Sequence, residues 1–337
     1  MNNEKKIILG ILGCGGRIGK LHTKNIIYNF PHVTIKTIHD IAIEEIQTWA
    51  HSLGIKNITA NSSDIFEDEE INSVLICSPT PTHVDYIISA ANVKKDIFCE
   101  KPIDLNPERI NIALDVVKKS GIIFQVGFMK RFDKTYSSMM RMVAEGKIGK
   151  QYIIKITSRD PYLPPLSYIK TSGGIFLDMS CHDFDLLRYL TGSEVEEVFA
   201  IGDVLIDPAI KQYDDYDMVV VNVKLANGSL GVIENCRKTN YGYDQRIEMF
   251  GSSGSISADN PLITSISLKS DNTIAIDNQH YWFMERYEDA YIEQFRSFFD
   301  SVKNNKPPLV GGVDGLKAIL IGIAAKQSVK EGKPVRL

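Results

Sequence analysis

The run Gly13-Cys14-Gly15-Gly16-Arg17-Ile18-Gly19 constrains this chain more than any other segment. It directly follows an apolar, strand-like stretch at residues 6–12 and opens a stretch of helical spacing at 17–28. A strand that turns through glycines into a helix leaves the first helical N–H groups and the positive dipole end facing the turn, where a pyrophosphate can bind. The spacing G-x-G-x-x-x-G departs from the commoner G-x-G-x-x-G, so the strand-turn-helix setting carries the reading. A turn built only for tight packing is the structural alternative. Asp40 weighs against it: 21 residues beyond Gly19, after a second apolar stretch at 33–38, its carboxylate can accept ribose hydroxyls and would repel a 2′-phosphate. No Arg or Lys follows immediately. NAD is therefore expected rather than NADP, held by Gly13, Gly15, Gly16, Arg17, Ile18, Gly19 and Asp40.

The rest of the first third alternates strand and helix in the manner of a parallel sheet with crossover helices. Helices are expected at 42–53, 83–91 and 109–120, and strands at 73–77, 96–99 and 122–126. After Gly127 the pattern changes. A helix at 132–145 precedes strands at 151–158, 197–201, 218–225, 229–237, 246–250 and 263–268, with hairpin signals at Asn227-Gly228 and residues 251–254. These favour an α+β region on an open, largely antiparallel sheet, covered by helices at 287–302 and 314–329. At 337 residues the chain exceeds two average domain lengths. The expected division is an α/β nucleotide-binding domain at 1–126 and an α+β domain at 127–337.

A formal charge of −4, from 38 basic and 42 acidic residues, offers no overall attraction for nucleic acid or an anionic bilayer. The apolar run at 7–16 is far too short to cross a membrane, and the amino terminus lacks the features of a secretory signal. Cytoplasmic residence is expected. The five cysteines form no C-x-x-C pair, so neither a disulfide framework nor a zinc cluster is expected.

Polar residues gather where strands of the first domain end. Ser78, Thr80, Thr82 and His83 follow the third strand as cofactor contacts or, alternatively, as loop and helix caps. Glu100-Lys101-Pro102 follows another strand, with Glu100 at the cofactor edge. The Lys101 cation can hydrogen-bond a substrate hydroxyl and favour the negative charge that develops as its proton leaves; a solvated surface lysine is the bland alternative. In the second domain Asp178 and His182 stand four apart, on one face if helical. A neutral His182 can take an alcohol proton while Asp178 fixes its tautomer or touches substrate; a structural capped helix is the alternative. Asp183 and Asp185 make a metal imaginable without completing a ligand set, and proton handling by Lys101 and His182 requires none. Arg131, Arg159, Asp160, Tyr241, Tyr243 and Asp244 are further candidate pocket contacts. Phe128, Phe132, Tyr152, Phe176, Phe184, Tyr287 and Tyr291 are expected to build cores or pocket walls.

In this order the segments GCGGRIGKLH (13–22), SPTPTH (78–83), EKP (100–102), QVGFMKRFD (125–133), SRDP (158–161), GGIFLDMSCHDFDLLR (173–188) and YGYDQRIEMFG (241–251) resemble the Gfo/Idh/MocA oxidoreductase family over nearly the whole chain. The resemblance implies an N-terminal Rossmann domain, a C-terminal domain for substrate binding and oligomerisation, and homodimers or homotetramers. Its inositol-type members imply NAD-dependent oxidation of a cyclitol, myo-inositol above all, to the 2-ketone. That implication puts Lys101, Asp178 and His182 at the reaction centre, with Arg131, Asp160, Asp185, Tyr241 and Tyr243 around the polyol. The extra glycine in 13–19 departs from the family run. Alternatives are scyllo-inositol, another inositol or an aldose as substrate, NAD-assisted glycoside cleavage, or a nonenzymatic NAD-binding sensor.

Overall fold

The computed structural model describes residues 6–337, which divide into two units: the described chain up to Met129 with Asp289–Leu316, and Lys130–Glu288 with Lys317–Leu337. The first unit contains β1 (Ile7–Leu12), β2 (Val33–His39), β3 (Asn57–Thr59), β4 (Ser73–Ile76), β5 (Asp96–Cys99) and β6 (Phe124–Val126). All pairings are parallel, in the order β3-β2-β1-β4-β5-β6. Every residue of β4 and of β5 is buried, as strands covered on both faces require. The order reverses between β1 and β4, so the crevice beyond their carboxyl ends is where a doubly wound sheet takes its ligand.

Helix Glu288–Asn304 belongs to this unit, a correction to the expectation that it covers the second sheet. Phe295, Phe298, Phe299 and Val302 share one core with Ile7, Leu9, Ile11 and Ile38. Gln125 Nε2 also donates to the Gln294 carbonyl at 2.8 Å, at a fully buried position. The division between units falls again inside helix Gly312–Glu331, after Leu316. A single cut after residue 126 therefore does not describe the chain.

The second unit contains β7 (Gln151–Arg159), β8 (Val195–Asp203), β9 (Met218–Leu225), β10 (Leu230–Cys236), β11 (Asp244–Gly251), β12 (Gly254–Ala258), a ribbon of β13 (Ser267–Ser270) and β14 (Thr273–Ile276), and β15 (Val335–Arg336). Seven strands form one sheet in the order β12-β11-β7-β10-β9-β8-β15, antiparallel except for β7 with β10. The strand expected at 263–268 does not extend this sheet: β13 pairs with β14 alone, and their side chains are exposed. Tyr152 likewise lies on the open face of β7, 45% exposed beside Phe250, and is not a core residue.

Register places the chemistry of this unit. Arg159 at the end of β7 pairs with Cys236 at the end of β10 and with Asp244 at the start of β11. Asp160 and Arg237 therefore leave the sheet at the same edge. Helix Ser180–Thr191 packs on β7 and β10 with ten of its twelve residues buried, which carries His182 to that sheet.

Candidate active site

The glycine run forms a cradle between β1 and helix Arg17–Asn29. Gly13 has φ +76°, and a Cβ there would fall 2.3 Å from Ser78 Cα, so only glycine lets the two loops at the sheet's reversal meet. A Cβ on Gly19 would fall 2.6 Å from the Gly13 carbonyl, which explains the close approach of helix to turn. Gly16 caps the helix with nothing within 4 Å of the position its Cβ would take. No acidic residue occupies the first turn. The extra glycine thus opens space beside bare helical N–H groups, a fit for an anionic pyrophosphate.

Asp40 Oδ2 accepts the Gly15 N–H at 2.7 Å and Oδ1 the Ala42 N–H at 3.0 Å. These bonds lock the carboxylate against the glycine turn and leave acceptor capacity for ribose hydroxyls. Both observations fit a dinucleotide without a 2′-phosphate. The thiols nearby are inert: burial, then the Asp40 charge, pushes Cys14 up to about 12, and burial raises Cys77 and Cys99 well above the ordinary thiol range.

Three residues expected to touch cofactor also bond within the protein. Ser78 Oγ bonds Thr82 Oγ1 at 2.6 Å. His83 is buried, with Nδ1 2.8 Å from the Pro102 carbonyl and Nε2 2.7 Å from the Ser78 carbonyl, so its ring braces two loops. Glu100 Oε1 is 2.6 Å from His22 Nε2, and Oε2 accepts the Lys101 N–H at 3.2 Å. Thr80 begins a 3₁₀ turn, Thr80–Thr82. Lys101 lies just beyond β5, half-buried, at the carboxyl edge that also carries the glycine cradle.

In the second unit Asp178 ends the short helix Ile175–Asp178, and His182 lies in the first turn of Ser180–Thr191. Met179 between them keeps right-handed helical angles. Asp178 Oδ1 accepts the Tyr168 hydroxyl at 2.7 Å, and Oδ2 lies 3.4 Å from Arg237 Nη1. Arg237, 1% exposed, reaches Asp215 with its other amino group at 3.4 Å. Asp215 in turn accepts the Ile175 N–H at 2.8 Å, fixing the start of the helix that presents Asp178. Asp160 faces the same group. Burial pushes its carboxyl up to about 7; the Arg237 and Lys130 cations oppose this, and the Asp178 and Asp183 carboxylates reinforce it.

Beneath lies a buried polar network. Lys130 Nζ donates to Asp183 Oδ1 and Gln245 Oε1, both at 2.7 Å; Asp183 Oδ2 accepts Asn235 Nδ2 at 2.6 Å; and Ser180 Oγ bonds Asn235 Oδ1 at 2.5 Å. It pins the His182 helix to β10 and β11. Arg131 and Asp185, expected at the polyol, form a buried two-bond pair of 2.9 and 2.6 Å, with Arg131 over the Tyr189 ring. Tyr241 is 54% exposed, accepting from Arg159 at 2.7 Å and donating to Asp244 at 2.9 Å. Tyr243 is buried among Trp282, Phe283 and Tyr287. Arg237, Lys130, Asn235 and Tyr168 escaped the sequence reading; Lys130 alone had a signal, since it stands inside the KRFD segment.

Among the described residues no group of three or more His, Cys, Asp or Glu side chains is arranged to hold a metal ion, and no helix is long and apolar enough to cross a membrane.

Residues 7–128 match the family model described as an oxidoreductase family, NAD-binding Rossmann fold, and residues 140–337 match its C-terminal alpha/beta domain. The chain is 44% identical over 333 residues to an uncharacterised oxidoreductase of Bacillus subtilis, covering 99% of this chain and 97% of the relative. It is 42% identical to the myo-inositol 2-dehydrogenase of Thermotoga maritima, covering 98% of each. Among solved structures, the scyllo-inositol dehydrogenase of Lactobacillus casei with bound NAD(H) and scyllo-inositol superposes with a TM-score of 0.92 at 30% identity, covering 98% of this chain and 99% of that one. With both halves matched and the glycine cradle in place, the chain belongs to the Gfo/Idh/MocA family of NAD-binding oxidoreductases.

Proposed function

We propose that this enzyme oxidises a cyclitol, myo-inositol above all, to its ketone with NAD as oxidant. The observation that carries the reading is the conjunction of an NAD cradle and Lys101 on one sheet edge with an Asp178–His182 segment anchored by Arg237 and Lys130. The inositol specificities of the relatives support the substrate class.

NAD, when bound, supplies the hydride acceptor. The substrate's C–H bond yields that hydride while its O–H proton passes to His182, leaving a C=O double bond. Lys101 Nζ donates to the substrate oxygen and stabilises its developing negative charge. Asp178, bonded by Tyr168 and facing Arg237, is preset in orientation, so little reorganisation remains at the moment of proton transfer. Asp160 supplies a carboxyl that can donate as well as accept near neutral pH, suited to a polyol hydroxyl. In the reverse direction His182 returns the proton. We infer further that the enzyme is cytoplasmic and works as a homodimer or homotetramer, as the composition and the family suggest.

The test is NADH formation with myo-, scyllo- and chiro-inositol and with glucose, followed by identification of the product. At least one inositol should give ketone and NADH in equal amounts. No NADH from any cyclitol would overturn the assignment, and NADH from glucose alone would transfer it to sugars.

A further inference from the structure

Three groups that take no part in the proton path hold the backbone around Lys101. His22 lies in the helix that opens at the glycine cradle and is wholly buried. Its ring is surrounded by Phe98, Tyr291 and Phe295, with centroids at 6.0, 5.5 and 4.8 Å. Nδ1 has no hydrogen-bond partner, while Nε2 sits 2.6 Å from Glu100 Oε1. With Nδ1 unpartnered, the proton that bridges the pair is carried on Nε2 and donated to Glu100. The second Glu100 oxygen accepts the Lys101 N–H. From the other side, His83 meets the Pro102 carbonyl and the Ser78 carbonyl. A neutral ring carries one N–H and so donates to one of these two carbonyls, with its other nitrogen beside the second. Burial holds its pKa below the ordinary histidine value.

The Lys101 N–H is therefore held by the carboxylate that His22 bonds, and the carbonyl of the next residue, Pro102, lies against His83; each buried histidine is reached from a wall of the cofactor cradle. His22 comes from the helix capped by Gly16, and Ser78 is the residue against which Gly13 closes. A buried polar pair among aromatic rings is costly relative to apolar packing of the same shape. As a mere helix-to-strand contact, His22 with Glu100 would be a poor solution.

We propose that His22, Glu100 and His83 form a brace that fixes the Lys101–Pro102 backbone to both walls of the cofactor cradle, making them positioning residues for the lysine. The inference rests on Lys101 serving the reaction, but its test does not depend on that alone. His22→Phe keeps the ring in its aromatic cage and deletes the N–H, while His22→Gln restores an amide donor toward Glu100. In H22F the brace predicts kcat lowered roughly 10- to 100-fold, as for a misplaced reacting group, with NAD affinity and the substrate KM changed far less. H22Q should recover much of the loss. A crystal structure of H22F with NAD should show the Lys101 backbone displaced and Glu100 turned from its present position. A wild-type enzyme inert toward every polyol would sink the functional reading, whereas the brace would still be judged by the Lys101 displacement. Should H22F fail to fold, Glu100→Gln, nearly identical in shape, provides the same two readouts. A Lys101 backbone superposable on wild type, together with undiminished kcat, would overturn the proposal.

Discussion

Replacing Lys130 by methionine tests the polar network under the His182 helix. Lys130 is 2% exposed and its partner Asp183 fully buried, so the methionine fills the volume but leaves a carboxylate without its cation. Removing one partner of a buried ion pair costs about 3–5 kcal/mol, chiefly the desolvation of the stranded charge. Asp183 keeps its 2.6 Å bond from Asn235, and Gln245 Oε1 keeps Ser158 Oγ at 3.0 Å, which places the expected loss near the lower end, about 3 kcal/mol. For a unit of this size each kcal/mol shifts the midpoint by about 2–4 °C, so K130M should melt roughly 6–12 °C below wild type. Calorimetry on K130M, Asp183→Asn and the double variant closes a cycle. The second substitution should cost much less once the first is present, giving a coupling above about 1 kcal/mol. A K130M loss under about 1 kcal/mol, or strictly additive effects, would refute the view that this pair anchors the helix.

Other outcomes follow from single contacts. Gly13→Ala drives a Cβ into Ser78 at a positive φ and should damage both folding and NAD binding, whereas Gly16→Ala, at φ −66° in open space, should preserve the melting temperature and weaken NAD binding in calorimetric titration; identical behaviour of the two would contradict the cradle. Asp40→Ala should reduce discrimination between NAD and NADP, and an unchanged ratio of their affinities would contradict its ribose assignment. The Asp160 carboxyl, at about 7 when folded against 3.8 ordinarily, makes a stability contribution that is fully present below about pH 3.8 and is lost as pH rises through about 7. Asp160→Asn should therefore gain on wild type between about pH 5 and pH 8, by up to about 3 kcal/mol, and parallel denaturation curves across that range would refute the burial argument.

The first sheet was legible because its strands are continuous apolar runs between helical periods, and because the glycine cradle concentrates backbone demands in adjacent residues. Asp40 could be read for the same reason, since its role follows from its place at the end of one strand. Other partnerships that shape the site are not local. Arg131 and Asp185 are 54 residues apart, and His22 and Glu100 are 78 apart. Residue type shows that each can bind something and leaves open whether that something is substrate or protein. Helix Glu288–Asn304 has an apolar face that would suit either sheet, and only the fit of Phe295, Phe298 and Phe299 among β1 and β2 side chains decides. The segment near 267 alternates as a sheet strand does, but the pattern carries no information about its neighbour, which is the exposed ribbon strand β14.

The claim at the centre of this account, that His182 moves the substrate proton during hydride transfer, is most directly tested by the single-turnover rate of NADH formation from myo-inositol in wild type and His182→Ala, with NAD binding measured alongside. The account predicts intact NAD affinity and a rate lowered about 10²- to 10⁴-fold, as for loss of a general base. A folded H182A enzyme that forms NADH at the wild-type rate would contradict it.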